Sequence, residues 1–201
     1  LDAALSNYRN AVSVKPDYAE DFYAMGLALR AKGELKASID CYQQAVQIRP
    51  NDVDALNNLG AALQHSGKFV AAIDSYSKAA KIAPLRVDVY NNMGIALQAN
   101  GEIDAAIDCY SRALKLRPDY ANAHNNMGHA LHDKGDIEAA IASYRKALRL
   151  IPDSTQTHNN LGNALRKAGD YQAAIDHFDF ITTTELNPSN PQFWFNSKAQ
   201  A

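Results

Sequence analysis

Apolar residues return at three- and four-residue steps along this chain. In the stretch from Val53 to Arg86 they are Val53, Leu56, Leu59 and Leu63, which is one face of a helix. The string HSGKF interrupts the pattern at Gly67, where a left-handed backbone costs little. A second helical face follows, made by Phe69, Ala72, Ile73, Tyr76, Ala79 and Ala80, and Pro84 ends it. The stretch predicts two antiparallel helices joined by a tight turn.

The pattern recurs. Pro16, Pro50, Pro84, Pro118 and Pro152 lie 34 residues apart, and Gly26, Gly60, Gly94, Gly128 and Gly162 keep the same spacing. So do Tyr8, Tyr42, Tyr76, Tyr110 and Tyr144, with Phe178 in the next place. A fixed period of this length marks a repeat architecture. One hairpin cannot bury its apolar face alone, but a stack of hairpins can. The predicted fold is all-α, a solenoid of antiparallel helical hairpins. It forms one array over 1–201, with a second-helix half repeat at 1–18 and full repeats at 19–52, 53–86, 87–120, 121–154 and 155–190. Residues 191–201 are a partial first helix or a cap, where Phe193, Trp194 and Phe195 can cover the last hairpin or stack on another copy.

Small residues predict close helix contact. Gly60 is expected to face Ala72 and Ala79. The corresponding pairs are Gly94 with Ala106, Gly128 with Ala140 and Gly162 with Ala174, while Ser38 takes the alanine place in the first full repeat. The last repeat departs: ten residues separate Phe178 from Pro188, against eight from Tyr144 to Pro152. Thr182, Thr183 and Thr184 are β-branched and weak in helices. A bulge, an early stop or a longer loop is expected there.

Tyr90, Met93, Gly94, Leu97, Ala106, Tyr110 and Pro118 resemble the tetratricopeptide repeat (TPR) pattern of aromatic, Leu-Gly, Tyr, then Ala, Phe and Pro. The resemblance covers nearly the whole chain. It implies a right-handed superhelix with first helices lining a concave face, and a role in binding proteins or peptides.

Asparagine pairs recur with the same period. The strings NNLG, NNMG, NNMG and NNLG start at Asn57, Asn91, Asn125 and Asn159. Asparagine is a poor helix former, yet these pairs hold the fifth and sixth places of each first helix. By the resemblance, Asn57, Asn91, Asn125 and Asn159 face the concave side, with Asn58, Asn92, Asn126 and Asn160 beside them. Two readings follow. One asparagine per repeat ties a helix to its neighbour, or the amides hold a peptide backbone, since a primary amide both donates and accepts. Layers about 10 Å apart match about three extended residues of about 3.3 Å each.

The sixth-place column resembles that of the TPR superhelix of the O-linked N-acetylglucosamine transferases and related plant O-fucosyltransferases, where such asparagines bind substrate backbone. The matching positions are Asn58, Asn92, Asn126, Asn160 and Asn196, and Ala24 departs from the pattern. A substrate-recruiting arm of such an enzyme is therefore an alternative to a free-standing scaffold, and a self-assembling scaffold is another. The chaperone-tail clamp of the same family needs basic residues where this chain has Tyr23 and asparagines, so it fits poorly.

Other inner-face places vary along the array. Acidic Glu20, Asp54 and Asp88 lie early, and Arg166 and Lys167 lie late, an order that can orient a bound segment by charge. His129 and His132 sit one turn apart and can touch one ligand. With Arg166 they join the asparagines as candidate peptide-binding residues. His124 and His158 take the aromatic place of the repeat, which packing explains.

Composition adds mainly exclusions. The chain has 201 residues, 47% hydrophobic and 21% charged, with formal net charge -2 and pI near 6.3. That balance points to a protein or extended peptide as partner, not to nucleic acid. No apolar run approaches the roughly 18 residues of a membrane span, and no signal-peptide pattern appears. Cys41 and Cys109 take equivalent places two repeats apart, about 20 Å at about 10 Å per layer, whereas a disulfide needs about 7 Å or less. Both are expected to be free thiols in a reducing compartment, cytoplasmic or nuclear. No ligand spacing suggests a metal or cofactor, and no catalytic motif suggests an enzyme. The chain opens at Leu1 in the second half of a repeat, so the natural N-terminus is expected to lie upstream.

Overall fold

The computed structural model describes residues 5–8, 10 and 17–185. Five helical hairpins follow one another. They are α1 (Ala19–Lys32) with α2 (Leu35–Ile48), α3 (Val53–His65) with α4 (Phe69–Ile82), and α5 (Val87–Ala99) with α6 (Ile103–Leu116). Then come α7 (Ala121–Lys134) with α8 (Ile137–Leu150) and α9 (Thr155–Ala168) with α10 (Tyr171–Glu185). The described residues contain no strand.

Local chemistry sets the helix ends. Asp52 caps α3 by accepting from the Ala55 N–H at 2.9 Å, and Ser154 caps α9 through the Thr157 N–H. Between α3 and α4 the chain reverses at Gly67, whose φ of 75° is the left-handed value expected there.

The chain divides into two compact units, one holding α1–α6 and the other α7–α10. In the first, α2 packs on α3 and α4 on α5, as well as each within its hairpin. In the second, α8 packs on α9. Tyr42, Tyr76 and Tyr110 are among the largest fully buried side chains of the first unit, and Tyr144 of the second. Cys41 and Cys109 are buried free thiols, and burial pushes the Cys109 thiol up to about 11.

Residues 5–8 are helical, with Leu5 buried against Leu29 and Cys41. The expected partial helix at 191–201, with Phe193, Trp194, Phe195 and Asn196, lies outside the described residues.

Of the three departures expected in the last repeat, α10 shows neither a bulge nor an early stop before Glu185, being a single helix of 15 residues, and a longer loop after it lies outside the described residues. The Thr182 and Thr183 hydroxyls donate back to the Phe178 and Asp179 carbonyls at 3.0 and 2.9 Å, which lets β-branched residues sit in the helix. The repeat glycines sit directly against the aromatic ring of the second helix. A Cβ on Gly60 would stand 2.6 Å from Tyr76 Cε1, and one on Gly128 would stand 2.7 Å from the Tyr144 ring. The bare helix surface at glycine is the seat of the tyrosine ring.

Candidate functional site

The buried tyrosines cross from the second helix of a hairpin toward the first. Their hydroxyls emerge near the twelfth place of that first helix. Tyr76 donates to Gln64 Oε1 at 3.4 Å and Tyr110 to Gln98 Oε1 at 3.3 Å. In the first hairpin the twelfth place is Arg30, which has only donors. It donates instead to Asn58 Oδ1 at 3.1 Å, and the buried Tyr42 hydroxyl has no partner among the described residues. Burial pushes the Tyr42 phenol up to about 12.

The asparagine pairs divide by place. The sixth-place amide of one first helix donates to the fifth-place side chain of the preceding one. Asn92 Nδ2 donates to Asn57 Oδ1 at 3.1 Å in the first unit, and Asn160 Nδ2 to Asn125 Oδ1 at 3.1 Å in the second. Asn58 does the same to the Tyr23 hydroxyl at 3.0 Å, so a phenol at the fifth place substitutes for an amide. Asn91 and Asn125 are 5% and 9% exposed. At the fifth place Asn57, Asn91 and Asn125 are thus engaged or buried. Asn57 and Asn125 accept bonds from the next first helix, and Asn91 and Asn125 are buried. Asn159 is exposed, and Asn126 is half-buried.

The sixth-place amides differ in what they have left to offer. Asn58 is fully engaged: it also donates to the Asp54 carbonyl and accepts from Arg30. Asn92 keeps its second N–H, while its oxygen takes a long 3.5 Å contact from Asn91. Among the described residues Asn160 keeps both its second N–H and its oxygen, and it borders a cavity.

The early acids are not free for a ligand's charge. Arg86 holds Asp88 with two bonds at 2.9 and 2.7 Å and reaches Asp54 at 3.0 Å. This contact keeps the Asp88 carboxyl below its ordinary range. Arg49 pairs with Glu20.

The second unit contains the cavity, of about 630 Å³. His129, His132 and Asp133 of α7 form one wall, and Asn160, Asn163, Arg166 and Lys167 of α9 the other. Tyr144 and Tyr171 complete it. It brings together four predicted residues: Asn160, His129, His132 and Arg166. Asp133 lies 3.8 Å from His129 Nδ1 and 4.0 Å from His132 Nδ1. Burial, then the charge of Lys167, holds His132 below the usual imidazole value, with Asp133 opposing. Arg166 donates to Asn163 at 3.3 Å, and Lys167 has no ion pair among the described residues. Two fixed cations against one carboxylate leave the cavity positive. Among the described residues no three His, Cys, Asp or Glu are placed to hold a metal ion, and no helix is long and apolar enough to cross a membrane.

A family model described as TPR repeat matches residues 26–67, 96–135 and 128–169, and one described as tetratricopeptide repeat matches 53–84. Together they cover more than half of the sequence. The chain belongs to the tetratricopeptide repeat family. No curated protein matches it. Among solved structures, a crystal structure of MamA is 26% identical over 88% of this chain and 98% of its own, with a TM-score of 0.73. YrrB, described as a TPR protein with an unusual peptide-binding site, is 17% identical over 95% and 97%, with a TM-score of 0.69. PilF of Pseudomonas aeruginosa is 17% identical over 96% and 87%, with a TM-score of 0.74. The TPR fold supports protein–protein interaction in general.

Within this TPR frame, sequence reasoning does not single out Asn163, Tyr144 and Tyr171 as site residues. Asn163 carried a readable signal. It follows Asn160 by three residues and precedes Lys167 by four, so all three share one face of α9. Tyr144 carried none, because it reads as core in every repeat.

Proposed function

We propose that this TPR protein is a non-catalytic scaffold that binds an extended, acidic segment of a partner protein, with the α7–α9 cavity as its principal contact. The observation that supports this most is the half-used amide of Asn160. It stands at the edge of a positive cavity with one N–H and one oxygen to spare. Those two groups suit the C=O and N–H of one extended peptide unit. Arg166 and Lys167 lie six and seven residues on, nearly two turns along the same helix, in reach of acidic side chains. Asn92 offers one remaining N–H in the first unit, a weaker hold on backbone. The likeness to YrrB, with its peptide-binding site, agrees with this reading.

The preference for acid is tested by selection. A library of extended peptides is panned against the immobilised protein and the bound fraction is sequenced. Enrichment of aspartate and glutamate is expected. Enrichment of lysine and arginine, or no enrichment of any residue, contradicts the proposal.

A further inference from the structure

A second cavity in the α7–α10 unit is built from different chemistry. It is about 430 Å³ and lies against the other side of α9. His158 borders it and Asn160 borders the first; two residues are about 200° around a helix, so the two cavities do not share a face. Its floor is apolar, formed by Leu148, Leu161 and Pro152. Its polar groups are all basic: Arg145 and Arg149, one turn apart on α8, with His158 and His177. Among the described residues no carboxylate lines it. Neither arginine makes an ion pair or hydrogen bond among the described residues.

The two histidines are arranged in a defined way. His158 Nε2 lies 2.8 Å from the Pro152 carbonyl, which only accepts, so that nitrogen carries the proton. In the neutral ring its Nδ1 is then an acceptor, and His177 Nδ1, at 2.8 Å, donates to it. Phe180 stacks on the His158 ring at 4.0 Å and holds it in this orientation. His124 makes the same bond to Pro118 at 2.9 Å, so the carbonyl contact belongs to the repeat. The second histidine is peculiar to this cavity. With Nδ1 committed, His177 has a donor at Nε2 only when it takes up a proton.

We propose that this cavity is a binding site, separate from the peptide-binding cavity, for a carboxylate carried on an apolar stem. Arg145, Arg149 and protonated His177 meet the carboxylate, while Leu148 and Leu161 underlie the stem. Charge and burial both select for this class. A bare anion makes no use of the apolar residues, and a neutral apolar molecule makes no use of the two arginines. Binding takes up a proton. His177 faces His158 from α9 and Arg145 from α8, both of which oppose its charge, and Asp176 on its own helix, which favours it. A bound carboxylate offsets Arg145 and tips the balance to the charged ring.

The probe is sodium octanoate, titrated into the whole protein while the ring resonances of His158 and His177 are followed by NMR. Octanoate is expected to shift the His177 signals. It should bind more tightly at about pH 6 than at about pH 8, on either side of the ordinary imidazole value. The Arg145→Gln/Arg149→Gln variant alters only exposed side chains and is expected to lose about tenfold or more in affinity, for two charge-assisted contacts. The Arg166→Gln/Lys167→Gln variant, in the other cavity, is expected to bind octanoate normally. Unchanged affinity in the Arg145/Arg149 variant overturns the site. Acetate or inorganic phosphate binding as tightly as octanoate overturns the apolar stem. Equal affinity at both pH values overturns the role of His177.

Discussion

Gly94 and Tyr110 occupy one another's space: a Cβ on Gly94 would stand 2.5 Å from Tyr110 Cε1. The ring is fully buried, so it has nowhere to go. Alanine gains about 1 kcal/mol over glycine as a helix former, but overpacking costs about 1–3 kcal/mol. Gly94→Ala is therefore expected to lower the melting temperature measured by circular dichroism, and Gly94→Leu to lower it further. A Gly94→Ala protein that melts above the parent would show that the ring yields freely.

The Asn125–Asn160 bond is expected to behave as a coupled pair. Each single alanine variant leaves one amide without its partner, and the double variant leaves neither. Urea unfolding should return a coupling energy of about 0.5–1.5 kcal/mol for the pair. Strict additivity would mean that the bond contributes nothing to stability.

Tyr42 and Tyr76 are the same residue in the same place with different partners. Tyr76 donates to Gln64, whereas the Tyr42 hydroxyl is buried without a described acceptor. Tyr42→Phe removes a buried unsatisfied group and is expected to be neutral or stabilising. Tyr76→Phe gives up a long bond and is expected to cost up to about 1 kcal/mol. Equal losses in both variants would mean that the hydroxyl of Tyr42 is satisfied in solution.

Acid is expected to weaken the α7–α10 unit through His177. Burial, His158 and Arg145 hold its folded value down. A histidine held below its unfolded value stabilises the fold while neutral. That contribution is complete above the unfolded value of about 6.5 and fades as pH falls through it. Urea midpoints should drop between about pH 7.5 and about pH 5, and drop less in His177→Gln. Some fall should remain in that variant, because His132 is held down as well. An identical fall in parent and variant would remove His177 from this effect.

The architecture was legible because its determinants are local and repeated. Proline, glycine and tyrosine recur at one period, and each has a backbone or packing reason to stand where it does. The glycine's partner was less legible. Ala106 and Tyr110 are one turn apart on α6, and only the crossing of the two helices brings the Tyr110 ring onto Gly94. The asparagines show the same limit. Fifth and sixth places are adjacent on a helix, and both carry amides. Whether an amide points to the next helix or to open space depends on about 100° of rotation. The cavity was partly legible: His129, His132, Asn160 and Arg166 are unusual inner-face residues, but their convergence follows from how α7 and α9 stack.

The central claim is that Asn160 holds a bound peptide as well as a neighbouring helix. Comparing Asn125→Ala with Asn160→Ala separates the two roles, because both break the interhelix bond but only the second removes the amide at the cavity. The measurement is calorimetric affinity for an acidic extended peptide, with melting temperature recorded on the same samples. Asn160→Ala is expected to lose roughly tenfold in affinity, for two neutral hydrogen bonds of about 0.5–1.5 kcal/mol each. Asn125→Ala should retain near-parental affinity, while both melt slightly earlier. If the two variants bind the peptide equally well, Asn160 is only a strut, and the peptide-binding role assigned to it is contradicted.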